Sequence, residues 1–371
     1  MECRGHALPG EPFQRTEPVP PDSPSQSRTW NSIEIPVRPL ISDAERARSA
    51  ALVATAYRMW ESLSDKNLQK IARCFRDAID LDCGNAEAYA GLAHALIAQG
   101  MWGLVSKPNA YYGAQAAQKI AFQINPDLLE SQSAGAWTRL LVEHDWQTGR
   151  SAFDEVLTRR PSFTQALVGR AMVSVAEGDL SQASSLLLNA SSTHALNASA
   201  EVLFCWTMYL RGMYSHVIDQ IQQFRASGRQ GAAACAVEEL ASFQIQAPDV
   251  NIERMEARIA ENTRYDVLQG VLGYAYAKSG QSNRAVEMVN EMTDPGSGQM
   301  SREPYAVALV LIGLNKNQQA LQWLEKSFRD GSMWSFALGS DPILAQLRDD
   351  PQCSLPLRRL SFPAANRTNP L

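Results

Sequence analysis

A helix-pair pattern repeats along this chain, and it restricts the fold more than any other feature. One copy opens with Ala86-Glu87-Ala88-Tyr89-Ala90-Gly91-Leu92-Ala93, continues through Ala114 and Ala121, and closes on Asn125-Pro126. The next carries Trp146, Phe153 and Val156 and closes on Arg160-Pro161. The two closing prolines lie 35 positions apart (161 − 126). A period of about 34 residues, with small residues at fixed places and a terminal proline, marks stacked helical hairpins. A single hairpin leaves apolar stripes wet on both flanks. Stacking the next copy buries them, and such an array grows without the size limit of one compact core. Arrays of this kind present extended concave surfaces that hold partners.

The rest of the composition fits that reading. With 371 residues, of which 45% are hydrophobic, there is enough apolar surface for a continuous core between helices. A net charge of −5 argues against a bare phosphate binder, so no direct nucleic-acid contact is expected. The six cysteines (Cys3, Cys74, Cys83, Cys205, Cys235 and Cys353) form no C-x-x-C pair and read as free thiols in a reducing compartment. There is no basic-plus-apolar leader and no apolar run long enough for a membrane span, so a cytoplasmic location is the expectation. The sequons at Asn189 and Asn197 read as accidental in that setting.

Along the chain, residues 1–41 are rich in proline and read as a disordered arm, with Ser32–Val37 as a short extended segment. Residues 42–335 read as the repeat array. Ser42 is placed to cap a helix from Asp43, and Ser64 one from Asp65. Ile71, Cys74, Phe75, Ala78 and Ile79 make one apolar stripe at helical spacing. Gly100 reads as the stop of the helix from Asn85, followed by an insertion at 101–109 that packs back through Trp102 and Leu104. Further pairs turn at Gly178, Gly212 and Gly280. Small residues at the crossings (Gly91, Ala114, Ala183, Gly273, Ala285 and Ala320 among them) let neighbouring backbones approach. Asp341-Pro342 and Asp350-Pro351 break the pattern, which gives capping helices over 336–360 and a frayed tail over 361–371. The expected fold is therefore all-α: a right-handed superhelical solenoid of about eight antiparallel helix pairs with a C-terminal helical cap.

One repeat is close enough to a known motif to name it. Leu272-Gly273-Tyr274-Ala275-Tyr276, Ser279-Gly280 and Asn283-Arg284-Ala285 resemble the leucine-glycine, tyrosine, glycine and alanine positions of the tetratricopeptide (TPR) repeat. Glu87-Ala88-Tyr89 with Leu92 and Pro126 covers the motif in an earlier copy, and the resemblance spans about 44–335. Gln118 and Cys205 depart from it, where an aromatic and a small residue are usual. His144-Asp145-Trp146, Gln319 to Lys326, Trp334, Asp341-Pro342 and Asp350-Pro351 are similar to a bacterial subgroup in which the array follows a winged-helix, nucleotide-cyclase or kinase head. The resemblance implies a regulatory or interaction array, here without such a head.

No phosphate loop, nucleophile elbow or His-Glu-x-x-His pair is present, so neither catalysis nor a cofactor nor a metal is expected. The five histidines are scattered and read as packed or solvated. The adjacent pairs Glu238-Glu239 and Asp349-Asp350 diverge by about 100° on a helix and read as solvated charges. The register set by Leu92, Leu272 and Val307 places Glu87, His94, Arg139, Tyr209, Tyr274 and Lys278 on the inner helices away from packing positions. They are the candidate contacts for a protein or peptide partner, with Tyr274 and Lys278 one turn apart on one face. The function expected is a non-enzymatic interaction scaffold. The alternative is a regulatory module of a bacterial transcription or signalling system. The oligomeric state is left open.

Overall fold

The computed structural model describes residues 41–61, 65–193, 198–227, 231–246, 251–261, 265–297 and 303–360. The proline-rich arm with Ser32–Val37, the Ser64 cap, His194, the second sequon and the tail from 361 lie outside the described residues.

Helices follow one another in pairs. They are α1 (Asp43–Glu61) and α2 (Asp65–Leu81), α3 (Ala86–Met101) and α4 (Lys107–Ile124), and α5 (Leu129–Thr138) and α6 (Trp146–Arg159). Next come α7 (Thr164–Glu177) and α8 (Leu180–Thr193), α9 (Ala198–Leu210) and α10 (Tyr214–Ala226), and α11 (Ala232–Ser242) and α12 (Ile252–Glu261). The array ends with α13 (Asp266–Lys278) and α14 (Ser282–Thr293), and α15 (Pro304–Gly313) and α16 (Asn317–Arg329). Short helices α17 (Ala345–Asp349) and α18 (Pro351–Leu360) follow. Among the described residues there is no strand. The fold is the all-α, TPR-like solenoid that the repeat implies, and no described helix is long and apolar enough to cross a membrane.

The local sequence accounts for the element boundaries. Ser42 and Glu45 form a capping box: the Glu45 amide donates to Ser42 Oγ at 3.2 Å, and the Ser42 amide donates to Glu45 Oε2 at 2.9 Å. Asn85 caps α3, its Oδ1 accepting from the Ala88 amide at 3.1 Å. Gly100 does not stop that helix. The helix runs on to Met101, and the left-handed residue is Gly103 (φ +68°). Gly100 is needed for close approach instead, because a Cβ there would lie 2.5 Å from the Tyr111 ring. The connector is thus shorter than expected, with Trp102 buried and Leu104 packed on the core.

Odd-numbered helices lie side by side, α3 on α5, α5 on α7, α9 on α11, α11 on α13 and α13 on α15. Small residues set the spacings between helices, both consecutive and odd-numbered. Gly91 admits the Phe75 ring and Gly169 the Phe153 ring, while Gly270 faces the backbone of Ala306, where a Cβ would lie 2.5 Å from the carbonyl oxygen. One apolar core runs from Val53 in α1 to Leu357 in α18. Helix α15 is buried on every side, which its uninterrupted apolar sequence requires. At the end, α17 and α18 fasten to α15 and α16. Gln346 Nε2 donates to the Ile312 carbonyl at 2.9 Å, and Asn317 Nδ2 donates to Asp350 Oδ2 at 2.9 Å.

Candidate functional site

The inner wall made by the odd-numbered helices is not uniformly open. After α16 the chain turns at Gly331 (φ +70°), which lies so close to the Leu141 carbonyl that a Cβ would meet it at 2.8 Å. Residues 332–338 then run through the interior, the chain surfaces at Gly339, and Asp341 is buried again. The Trp334 indole stacks on Tyr305 (centroids 5.3 Å, planes 10° apart) and meets Trp206 edge-on at 5.4 Å. Phe336 packs edge-on against Trp146 at 4.9 Å. Asp341 is fully buried and accepts the hydroxyls of Tyr209 at 2.8 Å and Tyr305 at 2.5 Å. Burial pushes the Asp341 carboxyl above its usual range, against the lowering effect of those two hydroxyls, and holds both tyrosine hydroxyls protonated. The expected array–cap boundary at 335/336 falls inside this segment, within the 3-10 turn Met333–Ala337.

Contacts around the same segment tie the second and third helix pairs to the C-terminal part of the array. Glu303, just ahead of α15, accepts Lys107 Nζ at 2.7 Å and Ser332 Oγ at 2.7 Å, all within the buried interior. Tyr111 of α4 donates to the Gly331 carbonyl at 3.0 Å. The His144-Asp145-Trp146 turn joins in. A π-helical stretch, Arg139–Glu143, leads to His144 in the left-handed region (φ +52°), and its ring stacks on Phe328 at 5.2 Å. Motif residues that stand far apart in the chain are therefore neighbours.

Towards the N-terminal half no other described residue fills the inner wall. A pocket of about 60 Å³ lies between α1, α3, α5 and α7, with Leu203 of α9 at its edge. Trp60, Trp102 and Trp137 supply its walls, and His94 and Thr164 its polar groups. Trp137 is oriented by its Nε1–H, which donates to the Gln165 carbonyl at 3.2 Å. His94 Nε2 lies 3.0 Å from the Glu130 carbonyl, a contact that requires the proton on Nε2. Burial lowers the His94 pKa to about 4, so the ring is neutral near pH 7. The Thr164 hydroxyl is buried without a hydrogen-bond partner. Among the described residues no group of His, Cys, Asp and Glu is arranged to hold a metal ion.

The six candidate residues do not form one site. His94 is in the pocket, but its side chain is buried and committed to Glu130. Tyr209 is buried beneath the chain's own Asp341 and faces no partner. Helix register placed it on the inner wall, but register carries no information about a segment that returns from the C-terminus. Glu87 is exposed in the first turn of α3, and Arg139 is half-buried where the π-helical stretch begins. Tyr274 is half-buried against Phe243 at 5.6 Å. Lys278 lies over the Tyr274 ring at 5.6 Å and reaches Asn315 and Gln346 at 3.3 and 3.2 Å. The last two are neighbours, as their spacing required.

The carboxylates Glu238 and Glu239 are a correction. Both are buried, not solvated, between three arginines. Arg254 grips Glu239 at 2.7 and 3.0 Å, Arg258 reaches Glu239 at 2.6 Å and Glu238 at 3.0 Å, and Arg225 pairs with Glu238. The signal was in α11 itself. A helix apolar on all sides is a buried helix, so any acid within it must find cations. The tryptophan pocket was missed because its three indoles come from two inner helices and one turn, in no periodic relation.

No protein-family model matches the chain, and no curated protein matches its sequence. Solved structures do. A chain of the APC/C hetero-tetramer Cut9–Hcn1 superposes with a TM-score of 0.54 at 17% identity, covering 87% of this chain and 57% of that one. This chain thus spans little more than half of that relative's length. Looser likenesses are to the human IFIT1 dimer with m7Gppp-AAAA (TM-score 0.39, 16% identity, 85% of this chain and 66% of that) and to the TPR domain of P58(IPK) (0.26, 13%, 81% and 99%). At these identities the first match speaks to the fold alone, and it is the fold of the TPR-repeat proteins.

Proposed function

We propose that this chain is a non-enzymatic interaction scaffold that holds a peptide or protein partner along the open, N-terminal part of its inner wall. The carrying observation is the aromatic pocket, which no other described residue covers, while the C-terminal part of the same wall is filled by residues 332–338 and Asp341. Indole-lined recesses are the places where protein interfaces concentrate their binding energy. The uncharged lining, together with the net charge of −5, favours a protein partner over nucleic acid.

A second reading has its own support. His144-Asp145-Trp146, Trp334 and Asp341-Pro342, the residues similar to bacterial signalling proteins, belong to one contact network. A regulatory array of that kind, acting with a separate DNA-binding or catalytic partner in the cytoplasm, is the narrower form of the scaffold reading. The general reading is tested by panning a random peptide library on the immobilised full-length protein. It predicts peptides that bind saturably in calorimetry. Repeated panning that yields no binder would remove it.

A further inference from the structure

The scaffold reading leaves open what the pocket takes, and four observations narrow it. The first is size. The volume is about 60 Å³, well below the ~150 Å³ of an apolar cavity that accepts benzene. The recess therefore encloses a branched group of a few carbons better than a whole aromatic ring. The second is charge. No Asp, Glu, Lys or Arg lines the pocket, and His94 is neutral near pH 7 because it is buried. An ion placed there would lose its hydration without gaining a counter-charge. The third is chemistry: three indoles, Ile97, Met101, Val168 and Leu203 give an apolar surface. The fourth is Thr164, whose buried hydroxyl has no partner. A buried hydroxyl left unpaired is costly, and a bound carbonyl would satisfy it.

We infer that the pocket between Trp60, Trp102 and Trp137 receives a leucine or isoleucine side chain of a peptide partner, with the Thr164 hydroxyl donating to a carbonyl of that peptide's backbone. This rests on the scaffold reading and specifies it. The half-buried Trp60 stands at the rim and covers the inserted side chain. The neighbouring Arg160 is paired with Glu130 at 2.7 Å.

The test uses the full-length protein with its tryptophans labelled with nitrogen-15, so that each indole N–H gives its own signal. The probes are the N-acetyl amides of leucine, isoleucine, phenylalanine, glycine, lysine and glutamate. Leucine and isoleucine amides are expected to shift the Trp60, Trp102 and Trp137 signals saturably in the millimolar range. The other four should leave them in place, and Trp206 and Trp334 should not move with any probe. Ala98→Phe, which fills the pocket from its wall, should abolish the shifts while the Trp206 and Trp334 signals stay where they are. Thr164→Val, which keeps the shape and removes the hydroxyl, should weaken binding several-fold. Equal shifts from all probes, a preference for a charged or aromatic probe, or shifts that survive Ala98→Phe would overturn the assignment. If peptides recovered by panning bind Ala98→Phe as well as the parent, the pocket assignment fails and the scaffold reading stands. If panning recovers nothing, the scaffold reading fails first.

Discussion

Burial keeps the His94 ring neutral, and this gives the inner wall a defined acid limit. The pKa falls from its ordinary 6.5 to about 4. As pH drops through that window the unfolded chain takes up the imidazole proton and the folded chain does not. The stability His94 contributes is therefore complete above pH 6.5 and lost towards pH 4, by about 3 kcal/mol in all. His94→Gln keeps a donor for the Glu130 carbonyl and removes the titration. Its urea midpoint is expected to change less between pH 7 and pH 4.5 than that of the parent, and an unchanged slope would show that His94 does not carry the acid sensitivity. Glycines separate just as clearly. Gly270 faces the backbone of Ala306, which cannot swing aside, whereas Gly231 has an extended backbone and open space around it. Gly270→Ala should cost towards the upper end of about 1–3 kcal/mol. Gly231→Ala should change stability by less than about 1 kcal/mol, because the entropy it removes from the unfolded chain is offset by alanine being the poorer N-cap of α11. Thermal melts of the two variants check both.

Among the elements, the segment from Gly331 to Asp341 differs from everything around it. It belongs to no helix pair, yet it places Trp334, Phe336 and Asp341 against α9, the His144–Trp146 turn and the start of α15. Trp334 is fully buried, so Trp334→Ala is expected to cost about 3–5 kcal/mol. A denaturation midpoint within error of the parent would mean that the indole is a surface group. The helix pairs were legible in the chain because their signals are local: apolar residues every third or fourth position, Ser42 and Asn85 as caps, and Gly178, Gly212 and Gly280 at turns. Even the crossing residues could be picked out, since only small side chains fit there. The returning segment was not legible. Tyr209 and Asp341 are 132 residues apart, and periodicity relates a residue to its own helix and the next, not to one that crosses the interior. That is why Tyr209 reads as a contact for a partner when its partner is internal. The burial of Glu238 and Glu239 was legible in the apolar run of α11, but the arginines that neutralise them, on α10 and α12, were not.

For the molecule as a whole, these contacts close the stack across its interior, from α4 to the start of α15. Lys107 at the start of α4 and Glu303 ahead of α15 form a buried ion pair. Breaking one half strands a charge, so Lys107→Met should cost about 3–5 kcal/mol, and replacing both with apolar residues should cost less than the single change. Equal losses in chemical denaturation would show the pair to be solvated. The closure also apportions the inner wall, with the C-terminal part filled from within and the N-terminal part uncovered by any other described residue. Hydrogen–deuterium exchange of the full-length protein, read peptide by peptide, tests that division most directly. Residues 333–338 are expected to exchange as slowly as α9 and α15, against which they pack. Exchange of that segment at the rate of a free linker, with α9 and α15 still protected, would contradict it.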